Sequence, residues 1–298
     1  MGGSVNAPTS FGRSRSSSEK RILYSLLEGI TDRDMDLCLH LYEHQVLTTQ
    51  QAFELLFPSY HRARKRLLLL HDRAVLGRFR PPQRPGSQPF HYVLDERGAK
   101  LVAGYLGVEL KELKFRTDRV LRLSRSPFLR HLRETNGFFC RLAYACRQAE
   151  GTQLVKWVGE RRAGRIGPRR PDGLGMVRGL GGLVAFYLEL DRGTEDGSRL
   201  EGKLIWYSRY DFDSAPLAIL FCFHSERRET SARRSLIRCR SFTVATTSLE
   251  RHMADPLGPN WLPLRGERRL SLFELPRPDR PELGEWEPSL VPRDELGI

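Results

Sequence analysis

Residues 183–190 read LVAFYLEL, and Asp191 follows. A run this apolar is expected to be a strand buried on both faces, yet it carries two carboxylates, Glu189 and Asp191. Side chains two apart on a strand share a face, so both acids point the same way as Tyr187. A buried carboxylate is too costly to keep bare. Each must therefore meet a metal ion, an arginine or lysine, or a proton. The strand belongs in a sheet whose acid-bearing face is covered.

The flanking pattern supplies such a sheet. Residues 128–149 have helical apolar spacing, as one helix or as two turns broken near Gly137. Strands are expected over 153–158, 169–177 and 183–190, then a helix over 199–210 and a buried strand over 216–223. A basic helix over 231–238 and a last strand over 242–246 complete the segment. The order α-β-β-β-α-β predicts an α/β (α+β) domain with a mixed sheet.

A third acid, Asp172, follows Pro171 seventeen residues before Glu189. Two carboxylates on one strand face and a third on the neighbouring strand form an oxygen donor set suited to Mg²⁺, which orients and ionises water for phosphodiester attack. Lys203 and Tyr207, four apart on the next helix, share a face from which they can reach a phosphate or the attacking water. The competing reading is structural: Glu189 is neutralised by a nearby arginine such as Arg192 or Arg170.

Charge points to a polyanionic partner. The 298-residue chain has 49 basic and 36 acidic residues, a net charge of +13. Placement says more than the total, because 42 of the 49 are arginine and a GC-rich genome alone favours arginine codons. Residues 62–84 hold eight bases (Arg62, Arg64, Lys65, Arg66, Arg73, Arg78, Arg80, Arg84) and one acid, Asp72. A second knot over 227–240 has six arginines and one glutamate, whereas 277–298 has three arginines and six acids among several prolines. That end reads as a disordered acidic tail, and residues 1–29 as a disordered segment.

The first basic knot lies in an ordered pattern. Thr31 and Asp34 form an Asp variant of the capping box ahead of Met35, Leu37, Leu39 and Leu41. Thr48 or Thr49 caps a short second helix that stops before Pro58, and Ser59 opens a third with Ala63, Leu67 and Leu70 on one side and the bases on the other. Two strand-like runs, 75–80 and 90–94, follow around a Pro/Gly/Ser turn. Helix, short helix, basic helix and two-stranded ribbon is the order of a winged helix-turn-helix. Its third helix fits the major groove of double-stranded DNA and its ribbon lies along the backbone, which makes Arg62, Arg64, Lys65, Arg66, Arg78 and Arg80 the expected DNA contacts.

Several classes are excluded. No apolar run approaches the roughly 20 residues that span a bilayer, the longest being residues 215–223. No heptad or collagen repeat persists. Five cysteines without a C-x-x-C pair, and a start without a signal-peptide pattern, lead us to expect reduced thiols in a cytoplasmic protein. No G-x-x-x-x-G-K-[ST] loop is present, and His131 and His91 read as isolated histidines of core or surface.

Two passages carry a resemblance: RDMDLCLHLYEHQVLTTQQAFELLFPS…ARKRLLLLHDRAVLGRFRP…HYVLDERGA, and RPDGLG…FYLELDRGTE…KLIWY. Over roughly residues 30–250 the chain resembles the replication-relaxation family, bacterial proteins mostly of plasmids and other mobile elements. The resemblance implies a DNA-binding factor of plasmid replication and relaxation, with a relaxase or replication initiator as possible protein partner. The second half also resembles the PD-(D/E)XK (restriction-endonuclease-like) fold. There Pro171-Asp172 matches the PD, Glu189 matches the acidic position, and Asp191 stands where the motif has lysine. Lys203 stands where some members carry the migrated lysine, Tyr207 completes a K-x-x-x-Y, and Glu134 matches a helix acid of some branches.

The expected organisation is a winged helix-turn-helix over 30–106, a linker over 107–127, a nuclease-like domain over 128–275 and the tail over 276–298. Three functions fit: a DNA-binding replication-relaxation factor, a Mg²⁺-dependent endonuclease or nickase using Asp172, Glu189 and Asp191, and a transcriptional repressor. No membrane partner is expected. A dimer is compatible with all three.

Overall fold

The computed structural model describes residues 28–82, 88–116, 118, 122–166, 171–193, 196–208, 217–236 and 243–276. Of the expected terminal segments 1–29 and 276–298, residues 1–27 and 277–298 lie outside the described residues, as do Arg84 and Arg170.

Local capping chemistry sets the first elements. Helix α1 (Asp32–His44) starts at the capping box of Thr31 with Asp34. After β1 (Leu47–Thr48), Thr48 caps α2 (Thr49–Leu56), and Gln51 returns a hydrogen bond to the Thr48 backbone. Ser59 caps α3 (Tyr60–Asp72). Strands β2 (Leu76–Phe79) and β3 (His91–Leu94) pair antiparallel, and β1 adds to β3 to give a three-stranded sheet in the order β1-β3-β2. Helix α4 (Glu96–Leu106), capped by Asp95, is an addition to the expected order and closes this unit against α1. Residues 107–116 pack back as well: Leu113 is buried in the same core, with Val108, Leu110 and Phe115 against it.

The second unit begins with α5 (Leu129–Gln148), a single helix unbroken at Gly137. The glycine marks a close approach, since a Cβ there would stand 3.3 Å from Nε2 of Gln51 on α2. Next come β4 (Gln153–Gly159), the short α6 (Glu160–Ile166), β5 (Gly173–Gly179), β6 (Gly182–Asp191), α7 (Gly197–Ser208), β7 (Leu217–Phe223), α8 (Glu226–Leu236), β8 (Val244–Ser248), α9 (Leu249–Ala254) and β9 (Leu262–Pro263). The six strands lie in the order β4-β5-β6-β7-β8-β9. Pairing is antiparallel through β4-β5-β6, parallel through β6-β7-β8, and antiparallel at β9. The chain is therefore mixed α/β with a mixed sheet. Helix α6 and the α9–β9 end add to the expected α-β-β-β-α-β order, and the strand expected over 169–177 begins only at Gly173.

Strand periodicity divides the cores. Phe186 and Leu188 of β6 join Phe138, Phe139, Leu142 and Cys146 of α5 on one face of the sheet. Tyr187 packs on the other face with Leu200, Leu204 and Tyr207 of α7 and Ala232 and Leu236 of α8. Cys140 and Ala143 of α5 belong to the core of the first unit, so one helix serves both.

Acid sensitivity follows from this packing. His252 of α9 is buried, stacks on Phe138 with ring centroids 3.6 Å apart, and donates from Nε2 to the Phe138 carbonyl at 2.9 Å. Burial holds its pKa down to about 4. Because the unfolded ring takes up a proton near 6.5, stability is complete above that pH and falls as pH drops towards 4, by about 2 kcal/mol at pH 5 from this residue. His252→Phe should flatten the acid limb of a thermal-stability profile measured between pH 7 and 4.5. An unchanged limb would show that other groups set it.

Candidate functional site

Strand β6 brings Glu189 and Asp191 to the face covered by α7 and α8, as alternation requires. Asp172 lies one strand away: its N–H donates to the Leu188 carbonyl, and the next residue, Gly173, pairs with Leu188. Gly173 leaves room for α5, because a Cβ there would stand 2.6 Å from the Phe139 ring. The three sequence-expected acids therefore gather at one end of β5 and β6.

Each acid has a basic side chain of its own. Glu189 is buried, and its Oε2 lies 2.7 Å from Lys203 Nζ while its Oε1 accepts from Tyr207 Oη at 2.7 Å. Burial, helped by the nearby Asp172 charge, pushes the Glu189 carboxyl up to about 7 against the pull of Lys203. Burial and the Glu189 charge push the Tyr207 phenol up as well. Asp191 Oδ2 accepts from Arg228 of α8 at 2.7 Å, and its Oδ1 accepts from the Gly193 N–H at 2.6 Å. Asp172 Oδ1 meets His131 Nε2 of α5 at 2.8 Å, and its Oδ2 accepts from the Leu190 N–H at 2.6 Å. Burial works against a charged His131, but the bond and charge of Asp172 outweigh it and raise the pKa. Glu134, one helical turn along α5, accepts from Arg130 at 2.8 Å and faces Arg192 at 3.4 Å.

The partner of Glu189 is thus Lys203, and this corrects the expectation of Arg192; Arg170 lies outside the described residues. Arg192 sits where the chain leaves the sheet and turns sideways to Glu134, whereas α7 lies directly over the acid-bearing face. His131 is a member of the cluster that its isolation in sequence concealed, and Arg228 is another.

The cluster does not suit Mg²⁺ as arranged. All three acids spend their oxygens on protein donors, and among the described residues no three His, Cys, Asp or Glu side chains are grouped to hold a metal ion.

The basic set divides too. Arg62, Arg64 and Lys65 are exposed on α3, opposite buried Ala63, Leu67 and Leu70, and none of the three has a salt bridge among the described residues. Arg66 differs: its Nε donates to Asp34 Oδ1 at 2.8 Å and its guanidinium also binds the Gly29 carbonyl at 2.7 Å. Burial alone would raise the Asp34 pKa, but the Arg66 and Thr31 hydrogen bonds hold it below the usual range. Arg66 therefore locks α3 onto the start of α1. On the ribbon, Arg78 and Arg80 both lie over the Phe90 ring, 4.5 and 3.8 Å from its centroid. Among the described residues no helix is long and apolar enough to cross a membrane.

No curated protein and no solved structure matches the chain. A family model does: that of replication-relaxation, over residues 39–214, from within α1 past the end of α7. The match takes in α2 through α7, the ribbon and the acids Asp172, Glu189 and Asp191, and covers more than half of the sequence, so the protein belongs to the replication-relaxation family.

Proposed function

We propose that the protein is a duplex-DNA-binding factor of plasmid or mobile-element replication. Its first unit (30–106) acts as a winged helix-turn-helix, and its second (128–275) is a PD-(D/E)XK-like domain that makes a further DNA contact. The observation that carries this reading is the face of α3. Arg62, Arg64 and Lys65 project from it without salt bridges among the described residues, while neighbouring Arg66 is spent on holding the helix in place. Two helices joined by a three-residue turn, then a ribbon whose Arg78 and Arg80 are stacked on Phe90, support the same reading. Titration of the full chain onto a short duplex tests it. Affinity should fall steeply with salt, as counterion release requires, and binding insensitive to salt would defeat the proposal.

Binding ranks above cutting because Glu189, Asp191 and Glu134 each face a lysine or arginine and Asp172 is hydrogen-bonded to His131. One observation favours cutting as a second reading: Lys203 and Tyr207 converge on Glu189. Nicking of supercoiled plasmid in Mg²⁺ or Mn²⁺, lost in Glu189→Gln, would establish that reading. A replication initiator or relaxase as protein partner is carried by family membership alone.

A further inference from the structure

The first turns of α5 touch the ribbon and the carboxylate cluster at once. Leu129 and Leu132 pack with Val93 of β3 and Phe79 of β2. Arg133 donates to the Gln88 side chain beside β3 at 2.6 Å, and its carbonyl accepts from Gln51 of α2 at 2.7 Å. In the same two turns His131 meets Asp172 and Glu134 faces Arg192. One turn further, buried Asn136 donates to the carbonyls of His44 and Val46, at 3.1 and 2.7 Å. Ribbon and cluster are thus held on two sides of one helix by apolar packing and part-buried hydrogen bonds.

The outward side of this junction is built for contact. Phe128, at the N-cap of α5, is 75% exposed; the Arg130 side chain is 60% exposed and pairs with Glu134, which Arg192 also faces, so that a phosphate can take over Arg130 while Glu134 keeps Arg192. We propose that both units grip a single duplex at one fixed spacing, with Arg130 at the start of α5 touching the backbone immediately beside the stretch occupied by the ribbon. The inference rests on the DNA-binding reading above and adds the geometry of the second contact. A helix with its side chains is about 10–12 Å wide, and phosphates along a strand recur about every 3.4 Å, so the offset is about three base pairs. Two loosely tethered modules would instead reach a distant stretch or bridge two duplexes.

The test uses the full chain and a series of duplexes from about 10 to 40 base pairs. Wild type should form a one-to-one complex, with the salt slope complete by about 15 base pairs, roughly one and a half helical turns. Arg130→Ala should lower the slope by about 0.9 already on that short duplex, and Arg130→Lys should restore it. Thermal unfolding of the three proteins should agree, since Arg130 is a surface residue and Glu134 keeps Arg192. A slope decrease seen only on long duplexes, two duplexes in one complex, or no decrease at any length would overturn the single-track geometry while leaving DNA binding intact. Wild type that binds no duplex at all would overturn the underlying reading, and this one with it.

Discussion

Lys203→Met is expected to cost about 3–5 kcal/mol of stability, because it strands the carboxylate of Glu189 in a buried site without its cation. For a chain of this size that is on the order of 10 °C in thermal midpoint. With Lys203 present the carboxyl already stands at about 7, well above the roughly 4.3 of an exposed glutamate. The folded variant therefore keeps a proton that the unfolded chain has released, and its deficit grows as pH rises. The double variant Glu189→Met/Lys203→Met should recover most of the stability, since removing both charges spares their desolvation. A single variant within about 1 kcal/mol of wild type, by denaturant unfolding, would show that solvent reaches the pair.

The second large effect is on DNA. Replacing Arg62, Arg64 and Lys65 together by alanine should weaken duplex binding and reduce the log–log salt slope by about 0.9 for each phosphate no longer neutralised. Stability should hardly change, because the three side chains are exposed and form no salt bridge among the described residues. Arg66→Ala should behave in the opposite way. It leaves Asp34, 1% exposed, without its guanidinium, so the protein should unfold more easily even where intact molecules still bind. Filter binding over a salt series, paired with thermal unfolding, separates the two. An unchanged slope in the triple variant would move the docking surface elsewhere.

Much of the first unit was legible as sequence because its signals are local. Thr31 with Asp34, Thr48 with Gln51, and Ser59 each bond to a backbone N–H three residues on, so the cap and its helix are written within one turn. Helix α4 is the exception. It has an Asp95 cap, but it follows the ribbon directly, and Gly98 and Gly104 within it weaken the helical signal of Leu101 and Val102. In the second unit, period-two alternation alone places Glu189 and Asp191 on the face of Tyr187, and four-residue spacing alone aligns Lys203 with Tyr207.

What answers each charge was decided by tertiary structure. Arg192, one residue from Asp191, turns to Glu134, whereas Arg228, 37 residues away, takes Asp191. His131, 41 residues before Asp172, closes the cluster from a helix that also serves the other unit. Alternation and capping depend on backbone geometry over a few residues, so the sequence by itself determined which side chains share a face and where helices begin. Counter-charges depend on which helix packs across that face, and the parallel crossovers from β6 through α7 to β7, and on through α8 to β8, set that at long range. The local sequence demanded that these carboxylates be neutralised; only the packed fold chose the cations, because only packing brings residues this far apart to within a hydrogen bond.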